Sequence, residues 1–431
     1  MPLTEPAWMP RRLIWTDTPL AGPSVPRGEM LLHRSLTSGL CRRAGDPPGV
    51  FWGVGDRGPN LGPADAAALY GLDHLVPLAA LDGAKIMPLP EVGPALARFR
   101  LEQDTVKLEE VMPLRCPDGT PLNGLPPPPF AGAETEPMFG LDGAALPTSV
   151  HGADSEGIAA RPDGQFWIAE EYGPSLLLVE PDGTVIRRVV PRGSAARFAG
   201  SVIPIVATLP PIALARKLNR GFEALAISPD GAVLYVAFQS PLAHPDRAAH
   251  DAGDLVRIWA LDAGNGDFLA EFAYPLDPAD SFKRDAEAGP VSASDVKVSE
   301  MACLPDGNLL VLERITHSTH FYRVSLGDAL PAELRDPAHR PTLEQLGQAG
   351  IHAAGWPMLA KQGVVSTDLL SQVCGDLEGL IVLDDGTLLT ANDSDYGTAG
   401  AQTRFWLLPA IRLTPSSSVA CRPESSTGSL A

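Results

Sequence analysis

Apolar and polar positions alternate in short bursts along this chain, and one burst recurs. "SEGIAARPDGQFWIAEE" (155–171) runs from a glutamate through a brief apolar stretch to an Asp-Gly turn, then through a second apolar stretch to two more glutamates. The plan returns in "FEALAISPDGAVLYVAFQS" (222–240), "SEMACLPDGNLLVLER" (299–314) and "LEGLIVLDDGTLLTANDSD" (377–395). Each copy predicts strand, tight turn and strand, because the glycine of the Asp-Gly pair accepts the positive φ that a hairpin requires. Glu156, Glu223 and Glu378 stand seven residues before the turn aspartates Asp163, Asp230 and Asp385, whereas Glu300 stands six before Asp306.

Two weaker copies extend the pattern. "GLCRRAGDPPGVFWGVGDRG" (39–58) has Gly39 where the others have glutamate, and "FRLEQDTVKLEEVMPLRCPDGTPLNG" (99–124) has the turn without the leading acid. Six sheet units at uneven intervals, the four strong ones roughly 65–80 residues apart, predict an all-β chain: a β-propeller of six blades with helical and loop insertions. The strand-like "RRLIWTD" and "RFWLLPAIRL" near the two ends are placed to complete one blade together and remove a free sheet edge. A two-domain sandwich accounts less well for the regular spacing of the acids.

Among the insertions, the proline-rich "LNGLPPPPFAGAETEP" (122–137) reads as a stiff exposed loop. "ATLPPIALARKLNRG" (207–221) reads as a short helix stopping at Gly221, and 327–363 mixes helix and loop. Residues 1–414 form one expected domain; the polar, small-residue tail 415–431 reads as disordered.

Composition narrows the functions. Of 431 residues, 33 are Lys or Arg and 52 are Asp or Glu, a net charge of −19; such a surface disfavours nucleic acid and anionic membranes. The 44 prolines and 42 glycines suit many strands and turns better than a helical bundle. Cys41, Cys116, Cys303, Cys374 and Cys421 are scattered and show no zinc spacing or disulfide framework. No stretch has the apolar length of a membrane helix. No signal peptide is visible, so the expected compartment is cytoplasmic, or periplasmic or secreted if a leader belongs to the protein. A monomer acting on a small molecule is the expected state.

The repeated acids carry the chemistry. Equivalent positions of different blades lie around one axis, so Glu156, Glu223, Glu300 and Glu378 are expected to ring a channel mouth. The ends of the second strands bring Asp56, Glu170, Glu171, Gln239, Glu313, Asn392 and Asp393 to a related position. Two unit charges ~4 Å apart repel by about 4 kcal/mol at an effective dielectric near 20, so the ring needs a cation, basic partners or protons. Glu156, Glu223, Glu300, Glu378 and Asp393 are the expected metal ligands; an all-oxygen set suits Ca²⁺, with Mg²⁺ and Mn²⁺ less well matched. A single glutamate at a strand start more often just accepts backbone N–H bonds, but four in one slot favour a site.

Glu171, Asp56, Arg57 and Arg314 are the candidate catalytic residues, and Arg220, Asn219 and Gln239 the candidate substrate contacts. The arginines stand beside acids and could clamp an anion. His151, His317 and His320 lie in or near these segments without a defining pattern. "GVGDRG" (53–58) matches a dinucleotide glycine pattern only formally, since Pro59 follows it in place of a helix. "NDSDYG" (392–397) resembles a fragment of a calcium loop and lacks the closing glutamate.

The blocks "DSEGIAARPDGQFWIAEEYGPSLLLVEPDGTVIRRVVP" (154–191), "NRGFEALAISPDGAVLYVAFQSPL" (219–242), "LLVLERITH" (309–317) and "DLEGLIVLDDGTLLTANDSDYG" (376–397), with the earlier "GVGDRGPN" and "PDGTPLNGLP", resemble the bacterial phytase-like proteins described as having esterase-like activity. The resemblance covers most of residues 30–413. It implies a propeller-like fold and a hydrolase of phosphate or other esters. Glu223-Ala224 and Glu300-Met301 depart from the usual Glu-Gly and keep the carboxylate. The RHGxRxP signature of histidine acid phosphatases is absent. Together these readings give a metal-assisted esterase-like or phytase-like hydrolase at the mouth of a channel. The acidic surface opposes a highly phosphorylated substrate and leaves lactones and small carboxylic esters open. The alternative is a non-catalytic, metal-stabilised scaffold that binds a ligand or protein.

Overall fold

The computed structural model describes residues 9–130, 134–411 and 413; the expected tail 415–431 lies outside them. Among the described residues the chain is all-β at its core, with five sheets of four or five strands. Each large sheet begins with a strand that faces the others: Gly39–Cys41, Ser155–Ala160, Phe222–Ile227, Lys297–Cys303 and Leu377–Val382. These five inner strands contact one another in cyclic order, the last returning to the first. Apolar clusters fill the seams between successive sheets, and Trp167 and Trp259 are fully buried in the largest.

The six expected units become five large sheets because two of them are one. Residues 39–55 and 95–113 pair through Val50–Gly55 against Ala95–Glu102, giving a single four-stranded sheet. Hydrophobic alternation marks strands; it does not say which of them share a ladder. The chain ends do share one: Arg11–Arg12 pairs with Phe405–Leu408 at the outer edge of the fifth sheet. Trp15 then lies against Phe99 and Phe405, with ring centroids 5.7 and 5.2 Å away, tying the first sheet to the last.

The turn aspartates do what the repeat predicts. Asp163, Asp230, Asp306 and Asp385 each accept the backbone N–H two residues on, at 2.9–3.2 Å. The glycines that follow them have φ between +73° and +93°, a region an L side chain resists.

Some insertions differ from expectation. The proline run is packed down rather than exposed: Pro126 and Pro127 are buried, and Arg197 donates to the Pro128 carbonyl at 2.5 Å. Past Pro210 the expected helix is one 3-10 segment, Pro211–Ala215, ending well before Gly221. Residues 327–363 contain the helix Leu343–Ala354, opened by a Thr342–Gln345 capping box. A small layer made of three two-stranded ribbons and the helix Pro63–Tyr70 has its own apolar cluster around Leu75 and Ile86. That layer carries Lys85 and leads into Glu136, which the repeat pattern could not reveal.

Candidate functional site

Backbone irregularity aims the glutamates. In the third and fifth sheets the pairing register slips by one residue, and the surplus residue is Glu223 and Glu378 respectively. In the second sheet the slip falls on the Glu156–Gly157 pair. Bulges of this kind break the strict alternation of a strand and redirect one side chain. In the fourth sheet the surplus residue is Ser299, not Glu300. The six-residue spacing to Asp306 already encodes this shift: seven residues before Asp306 stands Ser299.

Glu300 thus occupies the slot that is Gly157, Ala224 and Gly379 in the other copies, and it does not line the cavity that the other glutamates share. Its carboxyl accepts the Leu40 N–H at 3.1 Å and the Met301 N–H at 2.9 Å, linking the inner strands of the first and fourth sheets. Burial holds this carboxyl well above the usual carboxylate range, against the pull of those amides. The expectation that Glu300 ligates a metal with the rest is therefore corrected. The small residues of this slot have a reason: a Cβ on Gly157 would sit 2.3 Å from the Glu223 carbonyl, and one on Gly39 would sit 2.4 Å from that of Glu156. By the same geometry Gly39 matches Gly157, and Ser38 stands in the glutamate slot of the first sheet.

A polar cavity of about 140 Å³ gathers the rest. Asp56, Arg57, Glu156, Glu171, Asn219, Arg220, Glu223, Gln239, Arg314, Glu378 and Asp393 all line it, which brings together every predicted site residue except Glu300. Lys85, Lys297, Asp376 and Asp395 line it too and were not anticipated. Asn219, Asp376 and Asp395 adopt positive φ (56°, 59° and 47°), and the neighbouring Tyr396 does so as well. Non-glycine residues in this region are uncommon and concentrate at functional sites.

Around the cavity the acids divide by partner, and they include Asp154, which is buried and outside its lining. One carboxylate oxygen from each of Asp154, Glu156 and Glu171 lies within 4.8 Å of the others. Asp154 was passed over in the sequence, although it precedes Glu156 by two residues, the period that puts strand side chains on one face. The same Asp-x-Glu-Gly pattern recurs at Asp376–Gly379. Asp393 is held by the hydroxyls of Ser35 (2.5 Å) and Ser38 (2.7 Å), and Asp56 accepts the Gly58 N–H at 3.0 Å. Glu223 accepts from Gln239 Nε2 at 2.6 Å, while its second oxygen and Gln239 Oε1 are buried without a hydrogen-bond partner.

Burial, and then the crowding of like charge, raises these groups. Glu156 and Glu378 lie well above the usual carboxylate range, Glu223 is pushed up to about 8, and Asp154 to about 7 despite the opposing pull of Arg57. Asp56 is raised by burial and by Asp393 and Asp154.

The bases divide as well. Arg57 forms ion pairs with Glu136 (2.8 Å) and Asp154 (3.0 Å) and donates to Asn219. Arg314 pairs with Asp376 and Glu378 and donates to Ser299 Oγ at 2.9 Å. Both are committed to acids of the site. Arg220 donates only to the Asn219 carbonyl at 2.9 Å, its Nε is buried without a partner, and Lys297 has no ion pair among the described residues.

The paired glutamates after the second strand separate cleanly. Glu171 faces the cavity, whereas Glu170 ion-pairs with Arg188 at 3.0 Å and accepts the amides of Tyr172 and Gly173 at 2.9 and 3.0 Å. Glu313 is likewise structural, held by Tyr274 and Lys361. The Asn392 side chain is buried and donates to the Asp393 and Gln402 carbonyls.

A family model for the phytase-like group, "esterase-like activity of phytase", matches residues 37–396. The chain belongs to the phytase-like family. A fungal relative, an uncharacterized secreted protein of Arthroderma benhamiae, is 27% identical over 295 residues, 62% of this chain and 54% of its own length. The phytase-like chain thus spans about half the length of the curated relative it matches, and the resemblance is not confined to bacteria. Among solved structures it is similar to a putative oxidoreductase (glucose dehydrogenase) of Thermus thermophilus (TM-score 0.35, 13% identity, 91% of this chain and 97% of the other). It is also similar to a gluconolactonase of Xanthomonas campestris (TM-score 0.30, 10% identity, 74% and 69%). Among the described residues no helix is long and apolar enough to cross a membrane.

Three carboxylates at this separation fit a hard divalent cation. Ligand oxygens 2.3–2.6 Å from a common ion stand no more than about 5 Å apart, and the triad meets that limit. None of the described residues hydrogen-bonds to the Glu156 carboxylate.

Proposed function

We propose that this phytase-like chain is an ester hydrolase acting in the polar cavity of a five-bladed β-propeller. The blade reading rests on the cyclic order of the five inner strands. The functional reading rests on one observation: the Asp154–Glu156–Glu171 cluster, two of whose acids line the polar cavity, shares that cavity with two cationic side chains, Arg220 and Lys297, that form no ion pair among the described residues. The triad Asp154, Glu156 and Glu171 would hold a divalent cation, Ca²⁺ by donor chemistry. When bound, such an ion supplies charge neutralisation and water activation.

The protein's own groups do the rest. Arg57 and Arg314, fixed in ion pairs, offset the charge of Asp154, Asp376 and Glu378 and position them. Glu223 holds a proton at neutral pH, since burial and then the charge of Glu171 raise it to about 8. Its free oxygen can pass that proton to the departing alkoxide, the role of a general acid. In the overall step a water oxygen bonds to the ester centre, the bond to the leaving oxygen breaks, one water proton goes to a cavity carboxylate, and the alcohol leaves with the proton of Glu223. The secreted description of the fungal relative favours an exported setting over the cytoplasm.

The test is turnover of phosphomonoester, carboxylic-ester and lactone panels with added Ca²⁺ or chelator. We expect chelator to abolish hydrolysis, Ca²⁺ to restore it, and Glu156→Gln and Glu171→Gln to lose it by about 10²-fold or more with the fold retained. Calcium binding that raises the melting temperature with no turnover on any panel would replace the enzyme by a metal-stabilised scaffold.

A further inference from the structure

A second cavity, of about 410 Å³, opens beside the first, and the two share Arg220 and Lys297 in their walls. Its outer wall comes from the segment between the third and fourth sheets: the helix Lys283–Ala288, then Gly289, Pro290 and Val291, with Ile315 and His317 opposite. The acids in this wall are occupied. Asp285 accepts the amides of Thr316, His317 and Ser318 at 3.0, 2.8 and 2.7 Å, and Asp295 caps Ser292. The two cations at the threshold have no such partner among the described residues.

Size separates the two spaces. The inner cavity, about 140 Å³, is the smaller and is lined almost wholly by charged and polar side chains. The outer space is about three times larger, and Pro290, Val291 and Ile315 give it an apolar side. Arg220 and Lys297 feel the charges of Glu171, Glu223, Asp376 and Glu378 but form no ion pair with them among the described residues, so their donors are open to a ligand that is already anionic when it binds, which distinguishes a phosphomonoester from a neutral ester.

We propose that Arg220 and Lys297 clamp the phosphate of a phosphomonoester at the threshold, and that the outer cavity takes its uncharged organic group. This deepens the hydrolase reading and rests on it for bond cleavage, but binding alone decides it. Calorimetry on the full chain with inorganic phosphate and with phenylphosphonate, which cannot be hydrolysed, separates the two spaces. Wild type should bind both, phenylphosphonate more tightly. Arg220→Met and Lys297→Met should each weaken both ligands by about tenfold or more. Gly289→Trp should weaken phenylphosphonate alone, because a Cβ there meets open space and the indole can fill the outer cavity. Circular dichroism melts establish that the variants are folded. Absence of binding to wild type, unchanged affinities in both cation variants, or equal weakening of both ligands by Gly289→Trp would each overturn the clamp. Binding as expected without turnover on any panel would keep the clamp and remove the hydrolase.

Discussion

Glu156 and Glu300 show how one residue step decides a carboxylate's fate. Glu156 faces an acid cluster, and Glu300 ties two inner strands together. We expect Glu300→Ala to destabilise the fold by about 2–4 kcal/mol, since two buried N–H groups lose their acceptor and a void remains. Calcium affinity should stay close to wild type. Glu156→Gln should do the reverse: calcium binding falls while metal-free stability holds or rises, because the neutral amide removes the cost of burying an ionisable group among acids. Urea denaturation beside calcium titration reads both, and matching behaviour of the two variants would refute the distinction. At Lys297, burial and then the neighbouring Arg314 and Arg220 lower the ammonium to about 8, with Asp376 and Glu378 opposing; Glu223 also faces it. Phenylphosphonate affinity should therefore fall as pH rises through about 8. In Arg220→Met that fall should move to higher pH; comparing the two profiles cancels the ligand's own ionisation.

At the scale of elements, the wall of the outer cavity is pinned by Asp368. Burial alone would raise this carboxyl, but hydrogen bonds from His320 Nε2 (2.9 Å), Ser318 Oγ (2.6 Å) and the Lys283 N–H (3.1 Å) overcome it and hold it well below the usual range. A depressed carboxylate contributes stability that is present above its unfolded pKa, about 3.9, and is lost as pH falls toward its folded value. Asp368→Asn should accordingly lower the melting temperature at neutral pH, and the gap to wild type should close in acid. A gap independent of pH would show that the ionised form has no special part. Elements also set the limits of what the sequence disclosed. Asp-Gly turns, strand pairs and the glutamate slot were legible, because local backbone preference and alternation produce them. The merging of two units into one sheet was not, because ladder partners are chosen by tertiary packing.

Across the whole molecule, the ring closes where the ends of the described chain meet. Trp15 joins the first and fifth sheets through Phe99 and Phe405 and is only half-buried. Trp15→Ala should cost about 2 kcal/mol, visible as a lower urea midpoint with unchanged slope; a shift below about 0.5 kcal/mol would mean the seam is held elsewhere. By itself the sequence determined the strand units, their turns and a set of acids at one repeat position, since each follows from short-range chemistry of neighbouring residues. It even held the clue to Glu300 in a spacing one residue short. Only the tertiary structure decided that Asp154 joins Glu156 and Glu171, that Lys85 and Lys297 enter the cavity, and that Arg57 and Arg314 are occupied while Arg220 is not. Those facts depend on which distant segments approach within a few ångströms, and proximity of that kind belongs to the packed ring rather than to any stretch of it.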